Sequence, residues 1–268
     1  MRTISFLWFL FCGPVFLHAE ERTASIHLTL RSRVQVFKNT YSWQEATTAL
    51  AVPAHKSAIV ICDMWDKHWC PSATKRCGVL AEKMAPVVKA ARQRGVTIIH
   101  APSECMNFYK DSPARVRMQK ITRINLPKLI DLPDPVCPVD ASDGGCDDNP
   151  APNSYRAWSR QHELILIDED RDAISDDGRE IYALLKERGI DTLFVMGVHT
   201  NMCILHRSFA IKPMTRAGLH CVLVRDLTDA MYNPKSKPFV SHEEGTERII
   251  QFIEQNWCPT CLSNDLLK

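Results

Sequence analysis

Short apolar runs alternate with stretches of helical periodicity along most of this chain. Ala58–Cys62 (AIVIC), Val96–His100 (VTIIH), Leu164–Ile167 (LILI), Thr192–Val198 (TLFVMGV) and His220–Val224 (HCVLV) are apolar along their whole length. That is the pattern of strands covered on both faces. Leu80–Arg94, the run EIYALLKERG ending at Gly189, and Asn201–Ala217 carry helical spacing, the last interrupted near Pro213. Ser241 with Glu244 three residues on predicts the capped start of a final helix through IIQFIEQNW. Alternating strands and helices predict the α/β class. The expected architecture is a three-layer, Rossmann-like parallel sheet with helices on both faces, joined by right-handed crossovers.

Two segments break the alternation. Ala24–Phe37 alternates apolar and polar positions (Ile26, Leu28, Leu30, then Val34, Val36), which predicts an N-terminal β extension over residues 20–56 made of a hairpin or edge strands. Within the main domain, residues 57–268, the stretch 103–162 reads as a long insertion. It is rich in Pro, Asp and Asn after Leu126 and basic from Arg115 to Arg123. A lid over a binding face and a surface excursion pinned by disulfides both fit it.

The opening MRTISFLWFLFCGPVFLHAEE has one early arginine, an apolar core and Ala19 ahead of acids, and so reads as a signal peptide over residues 1–19. The expected location is secreted or periplasmic. That apolar stretch is too short to favour a membrane span, and no later one is long enough. With 33 basic and 31 acidic residues interleaved, the formal charge of +2 predicts neither a nucleic-acid partner nor a strongly anionic one. Export makes disulfides available to the cysteines that follow Cys12. The spacing predicts local bridges Cys70–Cys77 and Cys137–Cys146. Cys258 and Cys261 follow a helix rather than open one, which disfavours a redox role, and Cys62 and Cys221 lie in strand runs as core residues.

In sheets of this kind ligands bind beyond the carboxyl ends of the strands. Those ends carry Asp63, Asp66 and His68, then His100, then Asp168, Glu169 and Asp170, then His199, Thr200 and Cys203, then Asp226 and Asp229. Cys203 stands where a strand gives way to a helix. There a thiol loses its proton more readily and backbone N–H groups are available to an oxyanion, although a buried cysteine is equally often inert packing.

The order AIVICDM, helix, strand, helix, GIDTLFVMGVHTNMCILHRSFA and CVLVRDLTDA resembles the isochorismatase-like cysteine hydrolase superfamily, which includes nicotinamidases and N-carbamoylsarcosine amidohydrolases. The similarity covers roughly residues 57–257. It implies Cys203 as nucleophile, Asp63 as the base that takes its proton, and a cis peptide between Val198 and His199 beside the oxyanion site. It also implies a lysine at the end of the third strand, where this chain has Asp168, Glu169 or Asp170 instead. An acid there would repel Asp63 and a thiolate. The expectations are therefore a protonated carboxylic acid at Asp168 or Glu169 standing in for the ammonium, a cation from elsewhere such as Lys67, Lys110 or Arg115, or a site converted to other chemistry.

A metal would also resolve the charge conflict. Asp66, His68, His100, Glu169 and His199 are suitable zinc ligands, although the family's Asp-x-His metal motif is absent. Trp65, Trp69 and Phe108 are candidate walls for a small substrate, and His206 and Arg207 read as packing or subunit contacts. The functional expectation is a secreted hydrolase that cleaves a C–N bond of a small molecule through a thioester, needs no cofactor, and forms a homo-oligomer by resemblance. Its rivals are a metal-dependent hydrolase on the same scaffold and a non-catalytic ligand-binding descendant.

Overall fold

The computed structural model describes residues 24–38, 40, 42–127 and 134–268, so the predicted signal peptide lies outside the described residues. The elements are β1 Ser25–Gln35, β2 Trp43–Pro53, β3 Ser57–Cys62, α1 Pro71–Gln93, β4 Thr97–Ala101, α2 Pro113–Gln119, β5 Ala173–Ile174 and α3 Gly178–Glu187. They continue with β6 Thr192–Val198, α4 Cys203–His206, α5 Ile211–Arg216, β7 His220–Asp229, α6 His242–Asn256, β8 Thr260–Cys261 and α7 Ser263–Leu267. One sheet holds every strand in the order β2-β1-β8-β7-β6-β3-β4-β5. Strands β3 to β8 run parallel, and the β1/β2 hairpin joins antiparallel at one edge through Arg31 opposite Thr260.

The all-apolar strands split their side chains between two cores. Ala58, Val60, Leu193, Val195 and Leu223 face a cluster with residues of α3, α5 and α6, whereas Ile59, Ile61, Phe194 and Met196 face α1 and α7. Period-two alternation with both faces buried is what the unbroken apolar runs required.

Three expectations are corrected. The third strand is Ala173–Ile174, paired with Ile99 and His100, and not Leu164–Ile167. In that run only Ile165 is buried, while Leu164 and Leu166 are 42% and 73% exposed. The expected helix over Asn201–Ala217 is two short helices with an extended Arg207 between them (φ −55°, ψ 147°). Pro213 falls in the first turn of α5, where its missing N–H has no intrahelical partner to lose. Finally, one disulfide joins Cys70 to Cys146, leaving Cys77 and Cys137 free, so neither local bridge forms. The bridge ties the insertion to the start of α1 across a sequence separation of 76, which restricts the unfolded chain by about 4 kcal/mol on a loop-entropy argument.

The basic stretch of the insertion is also pinned to the domain. Arg115 binds Glu180 and the Ile174 carbonyl, Arg117 the Glu169 and Asp172 carbonyls, and Arg123 both Asp177 and Glu180.

Candidate active site

The site forms where β3 and β6 end side by side, Cys62 pairing with Gly197. A side chain at Gly197 would put its Cβ 2.0 Å from the Cys62 carbonyl oxygen, so glycine alone allows that approach. The next residue, Asp63, is buried and held at a positive φ of 49°, with its N–H on the Ala101 carbonyl. A non-glycine residue in that region costs of order 1 kcal/mol or more, which its surroundings must offset. Beyond β6 the Val198–His199 peptide is cis, as the resemblance implied.

Three groups converge on the Asp63 carboxylate. The Cys203 thiol lies beside it, close enough for each group to shift the other's pKa. The Ser103 N–H donates to Oδ1 at 2.7 Å, and Arg207 Nε donates to Oδ2 at 2.9 Å. Burial pushes Asp63 above the usual carboxylate range, against the opposing pull of Arg207 and the two other groups. Burial and the Asp63 charge push the Cys203 thiol up to about 12, although Arg207 and the His199 backbone pull the other way. The resting pair therefore carries its proton on sulfur beside a carboxylate of raised basicity. Arg207 stays charged, its basicity raised further by Asp63 and Cys203.

An aromatic-rich cluster lies beside Cys203. Cys203 packs against a cluster containing Trp65, Cys105, Tyr109, Ile174 and Trp158. Trp65 stacks on Trp158 of the insertion with centroids 4.2 Å apart and anchors its indole N–H on the Ser103 carbonyl at 3.1 Å. His68 continues the stack 5.8 Å from Trp158 and meets His199 edge-on at 5.0 Å. Burial holds both imidazoles neutral, with His68 lowered to about 4 and His199 to about 3.

The remaining sequence candidates lie elsewhere. Asp168 pairs with Arg171 at 2.7 Å on the surface. Glu169 accepts from the Ser112 hydroxyl and the Ala114 N–H at the start of α2. Neither stands beside Asp63, because the strand that would have carried them forms several residues later. Lys67 is exposed, Lys110 reaches only Asp111, and Arg115 is buried on Glu180, so none of them supplies the cation. Phe108 is 56% exposed beneath Arg160 and is a surface residue, while Trp69 packs beside the Cys70–Cys146 bridge.

Of the proposed metal ligands only His68 and His199 stay together, and the others are held elsewhere. Asp66 is taken by Ser159 and the Arg160 N–H, and His100 is clasped between Gln161 and Asp172 at 3.0 Å each. Among the described residues the one group of three or more clustered ligand types is Cys70, Cys146, Asp147 and Asp148. Its sulfurs are spent in the disulfide, Asp147 is bound by Arg76, and Asp148 by Ser72. That donor set does not fit a metal.

Two site residues escape the sequence reading: Arg207, which reads as a packing or subunit contact but holds Asp63, and Trp158, which is not singled out. For Arg207 a signal existed: it lies one helical turn beyond Cys203, a spacing that returns a side chain to the same face. Trp158 had none, since its partner Trp65 is far away along the chain.

The sequence matches no protein-family model and no curated protein. Solved structures do share its architecture. A cysteine hydrolase from Pseudomonas syringae pv. phaseolicola 1448A superposes with a TM-score of 0.50 at 14% identity, covering 81% of this chain and 92% of that one. An isochorismatase from Pseudomonas putida KT2440 gives 0.48 at 14% identity, covering 80% and 91%, and an isochorismatase family protein from Burkholderia thailandensis 0.46 at 15%, covering 80% and 96%. The chain has the α/β fold of the isochorismatase-like hydrolases.

Proposed function

We propose that this chain is an exported cysteine hydrolase that cleaves a C–N, amide-like bond of a small molecule through a thioester on Cys203. Asp63 takes the thiol proton as sulfur attacks the carbonyl carbon, and backbone N–H groups around Val198, His199 and Cys203 receive the developing oxyanion. Collapse of that intermediate expels the amine, which leaves with the proton from Asp63. Water then attacks the thioester and gives a proton to Asp63, and as the C–S bond breaks Asp63 returns that proton to sulfur, which releases the acid and restores the thiol. Arg207 keeps Asp63 in place and offsets the negative charge that passes between oxygen and sulfur, the task the resemblance gave to lysine. No step calls for a metal or cofactor. The Cys70–Cys146 bridge is consistent with an oxidising compartment.

The observation that carries this reading is the Cys203–Asp63–Arg207 contact, in which a buried acid touches both a thiol and a fixed cation. Its test is ammonia release from a panel of small primary amides, with acid quenching and mass spectrometry to trap the acyl group on Cys203. Turnover is expected for the wild type and none for Cys203→Ala. Equal turnover by both would exclude the covalent route. A wild type with no turnover, whose Cys203 also resists iodoacetamide near neutral pH, would make the chain a ligand-binding descendant instead.

A further inference from the structure

The two edges of the sheet are built differently. At one, β5 is two residues long, packs against α2, and has arginines on its backbone: Arg115 binds the Ile174 carbonyl and Arg117 that of Asp172. Shortness, cover and cations are the devices by which proteins prevent an edge from pairing. At the other edge, β2 has none of them. It runs for 11 residues from Trp43 to Pro53 in unbroken register with β1, and among the described residues it pairs with no other strand. Its single charged side chain, Glu45, is answered by Arg31 at 3.7 Å. The run Ala46–Val52 (ATTALAV) has no charge, proline or glycine, and Leu50 within it is 45% exposed.

We propose that β2 is the seam of a symmetric dimer, pairing antiparallel with β2 of a second copy so that one sheet runs through both. A strand meeting its own copy about a two-fold axis is self-complementary, because each outward N–H finds the same strand's carbonyl in return. An axis at Thr48 sets Ala46 opposite Leu50, Thr47 opposite Ala49 and Glu45 opposite Ala51, so no like charges face one another. The uncharged run offers a peptide of opposite charge nothing to recognise, and the sulfur site lies at the far ends of β3 and β6, away from this edge. The proposal is independent of the hydrolase reading.

Light scattering of the full chain over a concentration series tests it, with Thr48→Lys and Thr47→Lys as exposed substitutions. The wild type is expected at twice the monomer mass, and each lysine variant is expected to weaken association at least ~10-fold by placing cations across the seam. Far-UV circular dichroism should show both variants folded. A wild type that stays monomeric at the highest concentration, or variants as dimeric as the wild type, would overturn the proposal. So would a dimer whose Ala46–Ala51 amides exchange hydrogen as fast as in the dilute monomer.

Discussion

Two buried aspartates each meet an arginine, yet they are driven in opposite directions. Asp172 receives Arg92 through two nitrogens at 2.9 and 2.6 Å, His100 at 3.0 Å and the Asp168 N–H at 2.8 Å. Those donors outweigh burial and lower it to about 2. Asp63 has Arg207 through one nitrogen, one backbone N–H and a thiol, and burial wins. Burial is common to both, so the number and geometry of donors decides the outcome. A saturated carboxylate is an anchor, and an undersupplied one is a base.

Substitution separates the two roles. Asp63→Asn should cost on the order of 10⁴-fold in turnover, because the amide holds the geometry but takes no proton. Its melting temperature should stay near that of the wild type, since a carboxylate disfavoured by burial gives little stability to lose. Full activity in Asp63→Asn would remove Asp63 from the chemistry. Asp172→Asn should do the reverse. Leaving Arg92 buried without its counter-charge should cost about 3–5 kcal/mol of stability in denaturant unfolding, with the surviving folded fraction still active. A variant as stable as the wild type would make the Arg92–Asp172–His100 cluster ornamental.

The same contrast marks where sequence reading succeeded. The strand preceding Asp63 and the one preceding Cys203 are apolar throughout and sit centrally in the sheet, so local pattern dictated them and the site's two halves followed. Failure came where tertiary contacts overrode local pattern. Leu164–Ile167 is as apolar as any strand, but the polar run EDRDAISDD supplies the strand instead, because Asp172 is drawn in by Arg92 and His100. That displacement removed Asp168 and Glu169 from the site. Arg207 reads as a packing or subunit contact because the resemblance places a lysine on the third strand, although its spacing from Cys203 already sets both on one face. The cysteines pair across the fold because the insertion folds back onto α1, a return that spacing within the chain does not encode.

Arg207 refines the comparison. Arg207→Met should lower turnover roughly 10²–10³-fold, the scale of losing one preorganised electrostatic contact. Arg207→Lys keeps the charge but not the reach of Nε, and should recover part of that loss. Equal defects in the two variants would mean that guanidinium geometry, rather than charge, holds Asp63. An unaffected Arg207→Met would return the third role to a group not yet identified.

The smallest effect is the most direct reading of the contrast, because the two aspartates give stability–pH slopes of opposite sign. The folded value of Asp172, about 2, lies below its unfolded value, so its contribution is complete above the unfolded value and is lost as pH falls toward 2. That shift is worth about 2 kcal/mol. Asp63 is raised in the fold, so folding favours its protonated form and its ionisation costs stability as pH rises through the unfolded value. Denaturant unfolding from pH 2 to pH 6 should show stability climbing in the wild type. The climb should be shallower by about 2 kcal/mol in Asp172→Asn and steeper in Asp63→Asn. Parallel curves for the two variants would mean that both carboxylates are equally satisfied, and Asp63 would then have no more claim to be the base than Asp172.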